Sequence, residues 1–317
     1  MIRMAYLDDI KLRNRLKKAY LKEMNTKHMQ KKWRTAKSSI PELATFNYSF
    51  EKLLVASFSE LVKIAKEFKD LMDAVGTDAR RTAIKTQLKN EVFKYDDYYQ
   101  SHQIAPFFRE HAEEMKIHTC HYCNMAYINT FDYVDDSDGT KRKMSHFDLD
   151  HVMEKSEYPV LAFSLFNLVP SCPVCNERLK RDKAMGKSQR LLKKFSPSSG
   201  AFRFDGQVSM KLMPIGGTIK RPFMKNRDAY ELDFDCHIDK SYQKYVKMFR
   251  LKERYNYHKV EALRLKDLKM KYPATNVSSI ASLLGLTFDE VNEDIFGLRF
   301  TKEEHRCFEK LRRDMLK

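Results

Sequence analysis

The sequence predicts an α+β protein, mostly helical, with a small strand-bearing centre stapled by four cysteines. Three observations carry that expectation. Apolar residues recur at three- and four-residue steps through 50–75 and 78–93, the spacing of an amphipathic helix. The period shortens to two near 125–152 and again in 200–236, where short strands are expected. Cys120-His-Tyr-Cys123 and Cys172-Pro-Val-Cys175 form two C-x-x-C knuckles with 48 residues between them. Four thiolates are enough to close a tetrahedral zinc shell. No βαβ pattern surrounds either pair, which weakens a redox reading. Cys236 and Cys307 stand alone and read as buried small hydrophobes.

The chain has 317 residues and a formal net charge of +16. That length fits one large domain or two smaller ones. Aromatic content of 12% supports a real core and argues against wholesale disorder. No run of ~18 apolar residues is present, so a membrane span is not expected, and the first twenty residues lack the apolar stretch of a secretory signal. A cytoplasmic location is the expectation. The charge is unevenly placed. Residues 1–40 hold twelve Lys/Arg against three Asp/Glu, residues 178–194 eight against one, and residues 242–271 ten against three. Residues 41–117 are nearly balanced. Three basic segments around a neutral helical block suit a surface that follows a phosphate backbone.

In chain order, 1–40 is expected to be helical with a loose end. A helix is expected over Phe50–Val75 with Gly76 as its cap, a second over Asp78–Phe93 and a third over about Gln103–Met115. Met125–Val134 reads as a strand, Asp135–Gly139 as a turn and Lys143–Val152 as a second strand. The apolar run 160–171 leads into the second knuckle, and Cys175–Lys187 fits a basic helix. Beyond Ser196-Pro197, Phe202/Phe204, Val208/Met210/Leu212 and Leu232/Phe234/Cys236 alternate as two or three short strands. A long basic helix is expected over Tyr242–Tyr272, stopped by Pro273. Helices over Ser278–Leu284, Phe288–Phe296 and Lys302–Leu316 follow. The expected division is 1–117 (helical, basic at its start), 118–195 (the knuckle-bearing core) and 196–317 (short strands, then basic helices).

Between the knuckles lies His146-Phe-Asp-Leu-Asp150-His151, followed by Asn167 and then Cys175-Asn176. An Asp-His pair ends a strand, one Asn follows 16 residues after the His, and a second follows 25 after it at the start of a basic helix. This constellation resembles the HNH nuclease family in its four-cysteine zinc form. The resemblance implies a ββα-metal core, a hairpin and a helix around one divalent cation. The run CHYCNMAYI…FDLDHVMEKSEYPVLAFSLFNLVPSCPVCNERLK is similar to HNH nucleases of bacterial anti-phage defence loci, Septu-like and retron-associated systems among them. Tyr158-Pro159 and the Asn167–Cys172 segment carry that likeness. The strong match covers roughly 118–187, and a weaker one continues through FRLKERYNYHK and EKLRRDMLK. In that group an SMC/ABC-type ATPase is often the partner.

The implied chemistry can be argued residue by residue. Phosphodiester cleavage needs an activated water and a neutraliser for the charge that builds on the phosphate. A neutral imidazole takes a proton from water near pH 7, which makes His151 the candidate base. A hard divalent cation takes oxygen ligands, and Asp150 and Asn176 supply a carboxylate and an amide oxygen suited to Mg²⁺ or Mn²⁺. Strand neighbours point to opposite faces, so Asp150 and His151 share a site only if the strand ends or bends there. Asn167 is read as tying the loop to the backbone. Asp148 is an alternative ligand on the Asp150 face, and His121 is a spacer in its knuckle. Lys155, Arg178, Lys180, Arg181 and Lys183 flank the site and are expected to grip the nucleic-acid backbone without reading its sequence. The expected function is a DNA endonuclease. Two alternatives stand beside it: a non-catalytic zinc-ribbon module that binds DNA or a partner, and a toxin that cuts RNA.

Overall fold

The computed structural model describes residues 1–297 and 306–317. Helices and three small antiparallel strand pairs alternate along the chain. The helices before the first strand are α1 (Ile10–Met24), α2 (Lys27–Ser39), α3 (Phe50–Val55), α4 (Phe58–Ala74), α5 (Asp78–Gln87) and α6 (Ala105–Glu110). The strands are β1 (Thr130–Val134), β2 (Lys141–Ser145), β3 (Asp148–His151) and β4 (Leu168–Ser171). After α7 (Gln189–Phe195) and α8 (Phe204–Gln207) come β5 (Ser209–Pro214) and β6 (Tyr230–Asp235). The chain then runs through α9 (Tyr242–Met248), α10 (Leu251–Tyr257), α11 (Lys259–Lys271), α12 (Ala274–Leu284), α13 (Phe288–Phe296) and α14 (Glu309–Leu316). No helix among the described residues is long and apolar enough to cross a membrane.

The chain forms two compact units: 3–121 with 128–202, and 203–317 with 1–2 and 122–127. Residues 3–117 and most of 118–195 thus belong to one unit and do not separate at 117/118. In this first unit, α1 buries Leu12, Leu16, Tyr20 and Met24 at four-residue steps and starts on an Asp9 side chain that accepts from the Leu12 N–H. Its N-terminal approach is packed, contrary to the loose end expected from sequence. Met4 is buried and its N–H donates to the Pro197 carbonyl at 3.1 Å.

Several elements are shorter than their periodicity suggested, and local chemistry explains the breaks. The 50–75 helix is two helices. The Ser57 hydroxyl and the Glu60 carboxylate form a reciprocal capping box that starts α4 afresh. Val75 is already extended after α4, so Gly76 is not needed as a left-handed cap. The second helix passes at Leu88–Val92 into a π-helical turn, and a longer π segment over Tyr95–Ile104 leads into α6.

The 143–152 strand is also two. It breaks at His146-Phe147, so β2 pairs with β1 while β3 pairs with β4. The apolar run 160–171 supplies β4, and the basic helix after the second knuckle covers only Val174–Lys180, ended by Arg181 at φ +49°. In the second unit Phe204 opens a short helix rather than a strand. The 242–272 helix is three helices, interrupted at Arg250, whose φ is +47°. α14 starts at Glu309, and 302–305 of that expected helix lie outside the described residues.

Candidate metal cluster and acidic cleft

Cys120, Cys123, Cys172 and Cys175 are all buried, and their sulfur atoms lie within 4.8 Å of one another. Four soft thiol donors converging away from water are positioned to hold a metal ion. Donors surround the sulfurs. The Cys172 N–H points at Cys120 Sγ at 3.4 Å, and the Arg254 guanidinium reaches Cys123 Sγ at 3.6 Å. Such contacts favour the thiolate form that a metal requires. Cys236 and Cys307 are buried and outside this group, as their isolation in sequence suggested.

The second knuckle does more than hold sulfur. The Cys172 carbonyl accepts from the N–H groups of Cys175 and Asn176, and the turn so formed launches the Val174–Lys180 π-helical segment. Asn176 and Lys180, four residues apart, both leave that segment toward one cleft in the first unit, of about 550 Å³. The opposite wall is β3, which contributes Asp148, Asp150 and His151. Both members of the Asp-His pair reach the cleft because β3 ends at His151, where the alternation of the strand stops.

His151 is 9% exposed. Its Nε2 lies 2.9 Å from the Ala162 carbonyl oxygen. A carbonyl only accepts, so Nε2 carries the hydrogen and the lone pair of the neutral ring is on Nδ1. Burial pushes the His151 pKa down to about 3, with the Lys155 and Lys180 charges adding to the effect, so the ring is neutral at pH 7. The Tyr95 ring packs edge-on against it at 4.6 Å.

Asn167 is fully buried and braces this geometry. Its Oδ1 accepts from the Met153 N–H at 2.8 Å, and its Nδ2 donates to the carbonyls of Met153 and Leu161. It therefore clamps the loop whose next carbonyl, that of Ala162, orients His151. It joins the Met153 and Leu161 parts of the loop.

Lys180 departs from expectation. It is 1% exposed, and its Nζ donates to Asp150 Oδ1 and to the His151 carbonyl, both at 2.9 Å. A lysine so placed cannot grip a nucleic-acid backbone. It balances the charge of a carboxylate that is itself only 3% exposed. Lys155 is ion-paired with Asp96 and lies over the Tyr95 ring. Arg178, Arg181 and Lys183 are exposed, and of these only Arg181 lines the cleft. Asp148 is half-buried and receives a long 3.5 Å hydrogen bond from the Asn176 amide. Burial raises its pKa, and that of Glu154 across the cleft, above the usual carboxylate values.

Sequence reading missed Tyr95, Gln100 and Glu154. The first two come from the π segment of a region read as scaffold. The only local signal was its run of tyrosines and aspartates, Tyr95–Tyr99. The buried Tyr95 hydroxyl has no hydrogen-bond partner among the described residues, an unmet donor at the edge of the cleft.

Compared with protein-family models, curated proteins and solved structures, the chain matches none. The chemistry of the cleft therefore has to be argued from its own residues.

Proposed function

We propose that this protein is a metal-dependent HNH endonuclease that hydrolyses DNA phosphodiester bonds in the cleft between β3 and the Val174–Lys180 segment. The observation that carries the reading is the His151–Ala162 hydrogen bond, which leaves a neutral imidazole with its basic nitrogen on Nδ1 in the cleft that Asp150 and Asn176 also line. The order of two antiparallel strands and a helix, with the Asp-His pair at a strand end and an Asn at the helix start, agrees with the ββα-metal resemblance of the sequence.

In this reading His151 Nδ1 takes a proton from water as the water oxygen attacks phosphorus. The phosphorus–oxygen bond to the leaving group breaks, and the leaving oxygen takes a proton from solvent. Ala162 holds the ring through Nε2–H, and Asn167 holds the neighbouring Leu161 carbonyl. Asp150 and Asn176 are the oxygen donors that would hold Mg²⁺ or Mn²⁺, which supplies Lewis-acid stabilisation of the phosphoryl and leaving oxygens when bound. The four cysteines would hold zinc, and so would fix the start of the helical segment that carries Asn176. The basic charge of the chain suits a DNA partner. The likeness to defence nucleases supports a role as the effector of an anti-phage system, working with an SMC/ABC-type ATPase.

One observation favours the second reading, a zinc-bearing module that binds without cutting. The Lys180 ammonium already sits on Asp150, so a divalent cation has to share or displace that contact. Supercoiled plasmid with Mg²⁺ or Mn²⁺ separates the two. The nuclease reading expects cleavage that disappears in His151→Ala, with about one zinc per chain in both preparations. Equal cleavage by the variant removes His151 from the reaction. Tight DNA binding without cleavage, unchanged when the ATPase is added, favours the binding module.

A further inference from the structure

The second unit holds a pocket of opposite character. It measures about 410 Å³ and is walled by Leu212 and Pro214 of β5, Tyr230 of β6, Ile219 and Phe223 of the intervening loop, and Met270 of α11. Three cations complete it: Arg221, Lys266 and Lys269. No carboxylate is among its lining residues.

Each polar group nearby is accounted for, with one exception. The Asp267 carboxylate accepts from the N–H groups of Phe223 and Met224, both at 2.8 Å, and so pins the loop wall without facing the pocket. The Tyr230 hydroxyl accepts from the Lys220 N–H and donates to the Lys220 carbonyl. Lys269 donates to the Leu316 carbonyl at 2.6 Å. Arg221 stacks over the Phe223 ring at 6.0 Å. Lys266 has neither a hydrogen bond nor an ion pair among the described residues, although it is half-buried in an apolar wall. Burial, with the charge of Lys269 behind it, lowers its pKa, the sign of a cation that lacks a counter-charge.

We infer that this pocket binds a small organic anion with an apolar body, its carboxylate or other anionic group held by Lys266 and Arg221. The walls fit an acyl or aryl body. They offer no uncommitted hydroxyl or amide to the edges of a nucleobase or to a sugar, which argues against a nucleotide. The inference does not depend on the nuclease reading, because it uses none of the cleft residues.

The test uses the full chain in equilibrium dialysis with naphthalene-2-carboxylate, its neutral carboxamide and adenosine monophosphate. Saturable binding of the carboxylate is expected, at least about tenfold tighter than the carboxamide, a difference of about 1.4 kcal/mol. Lys266→Met should erase that preference and Lys266→Arg should keep it. Leu212→Trp, which fills the pocket from the strand, should abolish both ligands. Equal affinity for acid and amide, a preference that survives Lys266→Met, or no saturable binding up to about 10 mM overturns the site. Tighter binding of adenosine monophosphate than of the carboxylate replaces it with a nucleotide pocket.

Discussion

The cleft beside β3 and the β5/β6 pocket both contain a lysine withdrawn from solvent, and the two lysines are treated in opposite ways. Lys180 is buried with its charge matched by Asp150 and the His151 carbonyl. Lys266 is half-buried with no ion-pair partner among the described residues. The cleft gathers carboxylates and amides, an environment for cations. The pocket gathers cations against apolar walls, an environment for an anion. The comparison teaches that net charge says little about a site. In a chain of +16, the chemistry of each cavity follows from which few charges are left without a partner inside it.

The largest effect is expected outside both cavities. Cys172→Ser should strip the metal and unfold the knuckle-bearing region, because structural zinc contributes folding free energy on the order of 10 kcal/mol. Zinc content and a thermal melt check it, and a folded, metal-free Cys172 variant would refute the staple. Since Cys175 carries Asn176, the cleft should fail with it, while naphthalene-2-carboxylate binding by any protein that stays folded reports on the pocket separately.

Next in size, His151→Ala should reduce plasmid cleavage by roughly 10²–10⁴-fold, the usual contribution of a general base. The pocket should be unaffected. A loss of carboxylate binding in the same variant would break the separation of the two sites.

Lys180→Met should destabilise the protein by about 3–5 kcal/mol, because it removes the ammonium that pairs with the buried Asp150 carboxylate. The double variant Asp150→Asn/Lys180→Met should recover most of that. Lys266→Met should stay within about 0.5 kcal/mol of wild type, since it removes a charge that has no partner to lose. Urea midpoints of the four proteins decide it. Similar costs for Lys180→Met and Lys266→Met would erase the contrast drawn here.

A pH dependence is expected as well. His151 binds its proton less well in the folded protein, at about 3, than in the unfolded chain, at about 6.5. Its contribution to stability is complete above pH 6.5 and is lost as the pH falls from there toward 3. His151→Ala should therefore lose less stability than wild type over that interval. Parallel acid-stability curves would mean that the ring is protonated in the folded state. Acid release of the metal acts on both proteins alike and does not mimic the difference.

How much of this was legible in advance depends on how local the cause was. The knuckle spacing announced a four-sulfur cluster, because two C-x-x-C pairs need only chain reversal to meet. The amphipathic periods of α4 and α13 located those helices, since a buried stripe recurs in sequence. The Asp-His pair at a strand end was legible for the same reason. The partners were not. That β3 pairs with β4 rather than with β1 depends on a break at His146-Phe147, and strand pairing over 20 residues leaves no mark in the period of either strand.

By itself, then, the sequence determined which residues are chemically capable: four thiols, one Asp-His pair, two asparagines and an excess of lysine. Only the tertiary structure decided how they are used. It brought Tyr95 against His151, aimed the Ala162 carbonyl at Nε2, and buried Lys180 on Asp150 while leaving Lys266 without a counter-charge among the described residues. The physical reason is that ligation spacing and helical period are properties of neighbours along the chain. The protonation and pairing of a charged group depend instead on burial and on what lies opposite, which are set by residues far away in sequence.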